Sequence, residues 1–457
     1  MSKSTVPGYL PQDVPPPGAL VSLGFQHVLT MFPATVLVAI LTKFDVGVTL
    51  FASGLATVVA LLGSGMRIPL YYGSSFSYIA AVQAVVLAQW GGPRVAQVGI
   101  VATAAVSIIA GLLIRWVGKE SLDRVLPPIV TGSVAIVIGI SLARAALNMA
   151  GGETAVKALA ANDAAMLSLA GKQWAIAIIT LVATILFSVY LRGRGLLGML
   201  PILLGAAAGY VVSLFAGMVK FAPVHEAPWL RLPAFSLPDF ANPNALTAVL
   251  AIAPIAVATI PESTAHLYQI SLYIDRLAED LGRKPLKTSR LIGLNLILDG
   301  VGDAINGLLG GCAGTNYGEN NSLMAITRNY SGPVLASAGV IAMALGFVGK
   351  LAALVGTLPT AVTGGLAIYL FGVIGLQGVA LIQSEKVDLF DPRQLAIGAV
   401  ILVIGIGGAT FDGGNIPLGG LQLPSIATAA VVGILLNAIF LVFPASRKAV
   451  SPATAGE

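Results

Sequence analysis

Charge is what this sequence has least of. Aspartate, glutamate, lysine and arginine together make up 10% of its 457 residues, whereas soluble domains carry about 25%. A soluble chain of this length needs far more polar surface, so the residues call for a lipid environment. Cysteine occurs once, at Cys312, which excludes an intramolecular disulfide and any cysteine-based metal cluster. No glycine-rich nucleotide loop, no HExxH helix and no nucleophile elbow stands in a supporting context. The sequence therefore offers no enzyme motif and calls for no metal and no cofactor. The opening stretch MSKSTVPGYLPQDVPPPG is polar and proline-rich and lacks the apolar run of a cleavable signal. Residues 1–17 read as a cytoplasmic tail, as do 445–457 at the other end.

What the chain has instead is apolar length. It is 56% hydrophobic and carries 53 glycines, the small residues that let membrane helices approach closely. A membrane-spanning helix needs about 20 apolar residues. Runs of that kind cover 18–41, 46–64, 95–117, 125–148, 172–191, 195–218, 246–268, 291–310, 331–355, 358–382, 394–410 and 423–444. Two further stretches, 69–90 and 312–327, are apolar but interrupted by Tyr-Gly followed by polar residues: YYGSSFSYIAAV from Tyr71 and TNYGENNSLMAI from Thr315. Aligned on Tyr-Gly they read as two copies of one broken element, and counting both gives fourteen segments.

The basic residues test that count. With the N-terminus in the cytoplasm, 17 of the 25 lysines and arginines fall on the inner side and 8 on the outer, as the positive-inside rule requires. Dropping either broken stretch would invert every later loop. The net charge of +5 is thus a matter of topology, and no nucleic-acid partner is implied. Fourteen segments divide into seven plus seven, and an odd number per half makes the halves inverted repeats. Interrupted segments at matching positions of such repeats point to the binding site of a secondary transporter.

Ionisable residues inside spans are functional candidates. In TIPESTAHLYQ, Glu262 and His266 are four apart and share a helix face. Pro261 beside them removes a backbone hydrogen bond. A carboxylate and an imidazole in a low dielectric hold and release a proton as their surroundings change; the plain alternative is a pair that only ties helices together. Glu319, in NYGENN, is the second carboxylate. Its apolar flanks LLGGCAG and LMAI argue against a solvated loop. Broken backbone is tolerated at membrane depth only where it lines a cavity or meets protein, which suits a small planar ligand with donors and acceptors. Phe76, in GSSFSY, offers an aromatic face to such a heterocycle, although alone it reads as packing. His27 is the one ionisable group of the first span, either supporting the site or bridging helices. Asp299 and Asp303, four apart, form a second polar pair without an evident substrate role.

These residues together resemble a known family. The QH of the first span, GSSF, the Glu262-x-x-x-His266 pair and YGEN…MAITR are similar to the nucleobase–ascorbate transporters, and within them to the bacterial uracil permeases, over about residues 20–442. The resemblance implies an all-α polytopic fold of fourteen segments, with short antiparallel strands in the third and tenth. It further implies a core domain from 18–120 and 246–355 and a gate domain from 121–218 and 358–444. The substrate would sit between the strands and the eighth helix. Glu262 and Glu319 would bind it, with Phe76, Gly318, Tyr317 and Ala34 around it and Ser75 and Phe371 in support. His266 would back Glu262 in proton coupling. The implied activity is proton-coupled uracil import through the inner membrane, with both termini cytoplasmic and a homodimer through the gate domain. A purine or xanthine symporter on the same fold is the alternative, and a small-anion transporter a more distant one. The chain departs from the family pattern at Ser322 after the Asn pair, in the ESTAH stretch, and in having Phe371 where some relatives place tyrosine.

Overall fold

The computed structural model describes residues 8–87, 91–118, 124–411, 414–418 and 421–443. Residues 1–7 of the expected N-terminal tail and all of the expected C-terminal tail, 445–457, lie outside the described residues, as do Lys3, Lys119, Arg447 and Lys448. Among the described residues, nine helices are long and apolar enough to cross a membrane. The first two are Pro17–Thr42 and Val46–Gly63, the fourth Pro93–Trp116, the fifth and sixth Pro128–Ala161 and Ala164–Tyr190. The eighth and ninth are Ala245–Asp280 and Thr288–Leu309, the twelfth Thr360–Ser384 and the fourteenth Ser425–Val442. Shorter apolar helices fill the third, seventh, eleventh and thirteenth places, at Phe76–Val86, Pro201–Phe215, Gly332–Gly346 and Pro392–Gly407. The tenth is Gly318–Thr327. The protein is therefore a multi-pass membrane protein of fourteen segments.

Local chemistry sets many of the helix starts. Proline opens several helices, where its missing N–H is no loss: Pro17, Pro93, Pro128, Pro201 and Pro392. Asp45 caps the second helix by accepting from the Val48 N–H at 2.9 Å, and Ser331 caps the eleventh through the Val334 N–H.

Helix packing displays the repeat. The second segment packs on the eleventh and the ninth on the fourth; the first packs on the eleventh and the eighth on the fourth; the sixth packs on the seventh and the thirteenth on the fourteenth. Each pairing turns into its partner when seven is added to one member and subtracted or added at the other. The fifth with the twelfth and the third with the tenth map onto themselves. Glycines set the closest crossings. A Cβ at Gly54 would sit 2.3 Å from the Gly339 carbonyl oxygen, and one at Gly111 would sit 2.5 Å from that of Gly293.

The third and tenth segments meet as strands. β1 (Tyr72–Ser74) pairs antiparallel with β2 (Gly314–Asn316), with Gly73 opposite Thr315. Hydroxyls satisfy the outer edge of β1: Ser53 donates to the Tyr72 carbonyl at 2.7 Å, and the Tyr72 N–H donates to Thr57 at 3.1 Å. Asp303 of the ninth helix accepts from the Tyr72 hydroxyl at 2.6 Å and from the Gly314 N–H at 2.9 Å.

Three expectations change, and one element is added. The two Tyr-Gly pairs are not equivalent, because Gly73 lies inside β1 whereas Gly318 begins the helix after β2. Phe76, which opens the helical part of the third segment, is the counterpart of Gly318. The fifth segment runs on as helix to Ala161, with a break in helical geometry at Gly151 (φ 132°). The run 331–355 divides into Gly332–Gly346 and a short helix, Gly349–Gly356. A second hairpin, β3 (Asn415–Leu418) with β4 (Leu421–Pro424), precedes the last helix.

Candidate functional site

A cavity of about 550 Å³ opens where β1 and β2 meet the eighth and twelfth helices. It holds most of the expected residues. Glu262 and His266 line it from the eighth helix, Ser75 and Phe76 from the third segment, and Tyr317, Gly318 and Glu319 from the tenth. The fifth and twelfth helices complete the wall with Thr131, Ala135, Leu370 and Gln377. The eighth and twelfth helices line the cavity along the halves that lead to the face carrying the N-terminus. The eighth does so from Ala258 to Gln269 and the twelfth from Leu370 to Leu381, whereas the tenth lines the cavity with its first turn, Gly318 to Ser322. The cavity therefore opens towards the face that carries the N-terminus.

Both broken segments aim helix starts at this space. The helical part of the third segment begins at Phe76, and Ser75 caps it by accepting from the Ser77 N–H at 3.2 Å. The tenth helix begins at Gly318 without a side-chain cap. Free backbone N–H groups at helix starts bind acceptor oxygens. Glu262 and Glu319 are half-buried and have no ion-pair partner among the described residues; Glu319 meets only its own backbone N–H. Two carboxylates and two helix starts thus line one water-accessible space, offering acceptors on one side and donors on the other.

His266 is held differently from the expected carboxylate–imidazole pair. Its Nδ1 lies 2.8 Å from the Asn316 carbonyl, which can only accept, so Nδ1 carries the proton. No hydrogen bond or ion pair joins His266 to Glu262 among the described residues. The carbonyl of β2 has captured the imidazole and left the other ring nitrogen free. A Cβ at Gly318 would sit 3.0 Å from that Nε2, so glycine keeps the space beside it open.

The remaining expected residues make contacts within the protein. Tyr317 lines the cavity, but its hydroxyl donates to the Ser74 carbonyl at 2.9 Å and meets Thr35 at 2.9 Å, and its ring stacks on Tyr71 with centroids 6.4 Å apart. His27 is buried and meets Asn320: the Asn320 Nδ2 donates to His27 Nδ1 at 3.0 Å, so this histidine bridges the first and tenth segments. Ala34 and Phe371 are buried in apolar clusters and are not among the cavity-lining residues. Asp299 accepts from Ser263 and, at 3.2 Å, from Asn316 Nδ2, and Asn295 donates to Ser263 at 2.7 Å. With Asp303 it anchors β2 to the ninth helix. Thr131, Gln269 and Gln377 escaped sequence reasoning, because uncharged polar residues are unremarkable in membrane helices.

Fold and site together define a membrane transporter built from inverted repeats, with its cavity at the seam between them. The chain belongs to the permease family whose model matches residues 18–413, in the uracil permease branch of the nucleobase–ascorbate transporters that its motifs resemble. It is 37% identical over 439 residues to the uracil permease of Bacillus subtilis (strain 168), covering 96% of this chain and 95% of that one. Identity to the uracil permease of Bacillus caldolyticus is 39% over 430 residues, covering 94% and 93%. For that of Escherichia coli (strain K12) it is 34% over 428 residues, covering 93% and 92%. Among solved structures, the transmembrane domain of the cyanobacterial bicarbonate transporter BicA matches with a TM-score of 0.57 at 15% identity, over 92% of this chain and 97% of that one. The murine anion transporter Slc26a9 in its inward-facing state matches with a TM-score of 0.62 at 12% identity, over 93% and 68%. Its relatives are permeases, and the protein is a transporter and not an enzyme.

Proposed function

We propose that the protein imports uracil across the cell membrane by alternating access, driven by proton entry. The observation that carries this reading is the meeting of Glu262 and Glu319 in one cavity with the helix starts at Phe76 and Gly318. Uracil presents two ring N–H donors and two carbonyl acceptors on a flat ring, which complement carboxylate acceptors and backbone donors. The uracil permeases that share over a third of this sequence support the same substrate. An anion would be repelled by two carboxylates, so the likeness to anion transporters extends to the fold alone.

Alternating access then takes the form of two bodies moving against each other. The first four segments with the eighth to eleventh form the core, and the fifth to seventh with the twelfth to fourteenth form the gate. Tight packing of the second helix on the eleventh and of the fifth on the twelfth supports this division. The basic residues concentrated on one face support cytoplasmic termini in an inner membrane, and the cavity then opens inward. Pairing of two copies through the gate domain belongs to the same reading.

His266 is the coupling residue, because its proton state is tied to β2 and its free nitrogen faces the cavity. The deciding experiment is uptake of radiolabelled uracil into proteoliposomes in competition with a panel of bases. Uptake rises with external acidity, collapses with a protonophore and proceeds without sodium, and uracil competes far better than xanthine. Preference for xanthine, or a requirement for sodium, overturns the assignment of substrate or coupling ion.

A further inference from the structure

A second cavity, of about 330 Å³, lies on the face that carries the N-terminus. Three pieces of chain enclose it: the strap Leu10–Asp13, Arg67 after the second helix, and the loop from Arg283 to Leu291 between the eighth and ninth segments. Five cationic side chains line it, those of Arg67, Arg283, Lys284, Lys287 and Arg290, against the single carboxylate of Asp13. That carboxylate is already engaged, accepting from Arg283 at 2.8 Å. Two acids of the eighth helix, Asp275 and Asp280, are also committed. Asp275 accepts from the Lys287 backbone N–H at 2.9 Å, and Asp280 pairs with Arg328 and Arg276. Lys284, Lys287 and Arg290 have no ion-pair partner among the described residues.

The walls are fixed rather than loosely solvated. Lys287 adopts a left-handed backbone (φ 51°), held by Asp275, and the Ser289 N–H donates to Ser271 at 2.9 Å. The strap is tied down by Gln12 to the Gly65 carbonyl at 3.1 Å, by Ser331 to the Asp13 carbonyl at 2.6 Å and by the Gly332 N–H to the Pro11 carbonyl at 2.7 Å. The positive-inside rule accounts for basic residues on a face, but not for their convergence on one concave space. Like charges held together in this way repel unless an anion lies between them, and basic pockets beside membrane helices accept phosphate headgroups. Arginine binds phosphate through paired N–H donors.

We propose that this cavity binds a phosphate group, carried either by a soluble nucleotide or by an anionic phospholipid. The site stands apart from the substrate cavity and does not depend on the transport assignment. In the proposed orientation it faces the cytoplasm.

The test uses the purified full-length protein in detergent, with saturating uracil present throughout, and follows thermal unfolding. Adenosine monophosphate is compared with adenosine, and phosphatidylglycerol in mixed micelles with phosphatidylcholine. At least one phosphate probe raises the melting temperature over its control, and salt weakens the effect. The exposed double substitution Lys284→Gln with Arg290→Gln weakens that response at least tenfold, while the rise in melting temperature that uracil gives over a separate uracil-free sample stays unchanged. A response to the nucleotide alone identifies a soluble ligand, one to phosphatidylglycerol alone a lipid, and one to both the shared phosphate. The proposal is overturned if neither probe acts, or if the double variant responds as the parent protein does.

Discussion

Glu319 and Glu262 differ in what their loss should cost. Glu319 stands at a helix start on the tenth segment and lines the cavity. Replacing it with glutamine leaves its shape but turns one acceptor into a donor facing a substrate N–H. An unmet N–H in a dry site costs about 1–3 kcal/mol, so Glu319→Gln should weaken uracil binding roughly tenfold or more, read by calorimetry on protein with an unchanged melting temperature. Glu262→Gln should abolish transport as well as weaken binding. Wild-type transport by either variant would remove that residue from the site. His266→Leu should separate binding from coupling: measurable uracil binding in detergent, with uptake no longer driven by an inward pH gradient. Substrate and proton must favour the same states for coupling to be reciprocal, and the imidazole fixed to β2 is the group placed to link them.

The carboxylates were legible in the sequence because charge is so rare in it. Every ionisable residue within a span stands out, and Glu262, His266 and Glu319 do converge on one cavity. Partnerships were not legible. Spacing of four puts Glu262 and His266 on one face, but it cannot reveal that a carbonyl from residue 316 takes the imidazole. His27 and Asp303 show the same limit, since their partners Asn320, Tyr72 and Gly314 are distant in the chain.

At the scale of elements, the crossed strands depend on small residues. A Cβ at Gly73 would sit 2.4 Å from the Tyr317 ring, and that ring is pinned between Tyr71, Thr35 and the Ser74 carbonyl. Gly73→Ala therefore forces a shift at the site itself. Overpacking of this kind costs about 1–3 kcal/mol, so the variant should melt several degrees lower and bind uracil more weakly than its parent. A melting temperature and affinity both equal to the parent's would show that the ring moves freely. The broken segments themselves were readable from Tyr-Gly interruptions in apolar runs. Their register was not, because strand and helix begin where backbone geometry allows and the repeated Tyr-Gly falls three residues out of phase. The helical extension to Ala161 was missed for a related reason. Residues such as Glu153, Lys157 and Asn162 read as a loop, yet Lys157 pairs with Glu153 one turn away at 2.6 Å along an exposed helix.

For the whole molecule, the count of fourteen followed from apolar length and from the distribution of lysine and arginine, both of which act along the entire chain. Reporter fusions at Lys157 and Lys448 should report opposite sides of the membrane. Signals from the same side would reject the orientation and the parity on which it rests.

The pairing of β1 with β2 also sets an order of events during synthesis. Tyr72–Ser74 enters the membrane long before Gly314–Asn316 exists. At about 5–20 residues per second, the interval is on the order of ten to fifty seconds. Through that time the inner edge of the first strand has no partner, while its outer edge is already served by Ser53 and Thr57 of the neighbouring helix. A nascent first half is thus a half-satisfied intermediate whose exposed backbone must be sheltered by insertion machinery, lipid-associated water or another nascent chain. Stalling synthesis before residue 314 should leave a species prone to capture by quality-control proteases, whereas stalling after the eleventh helix should not.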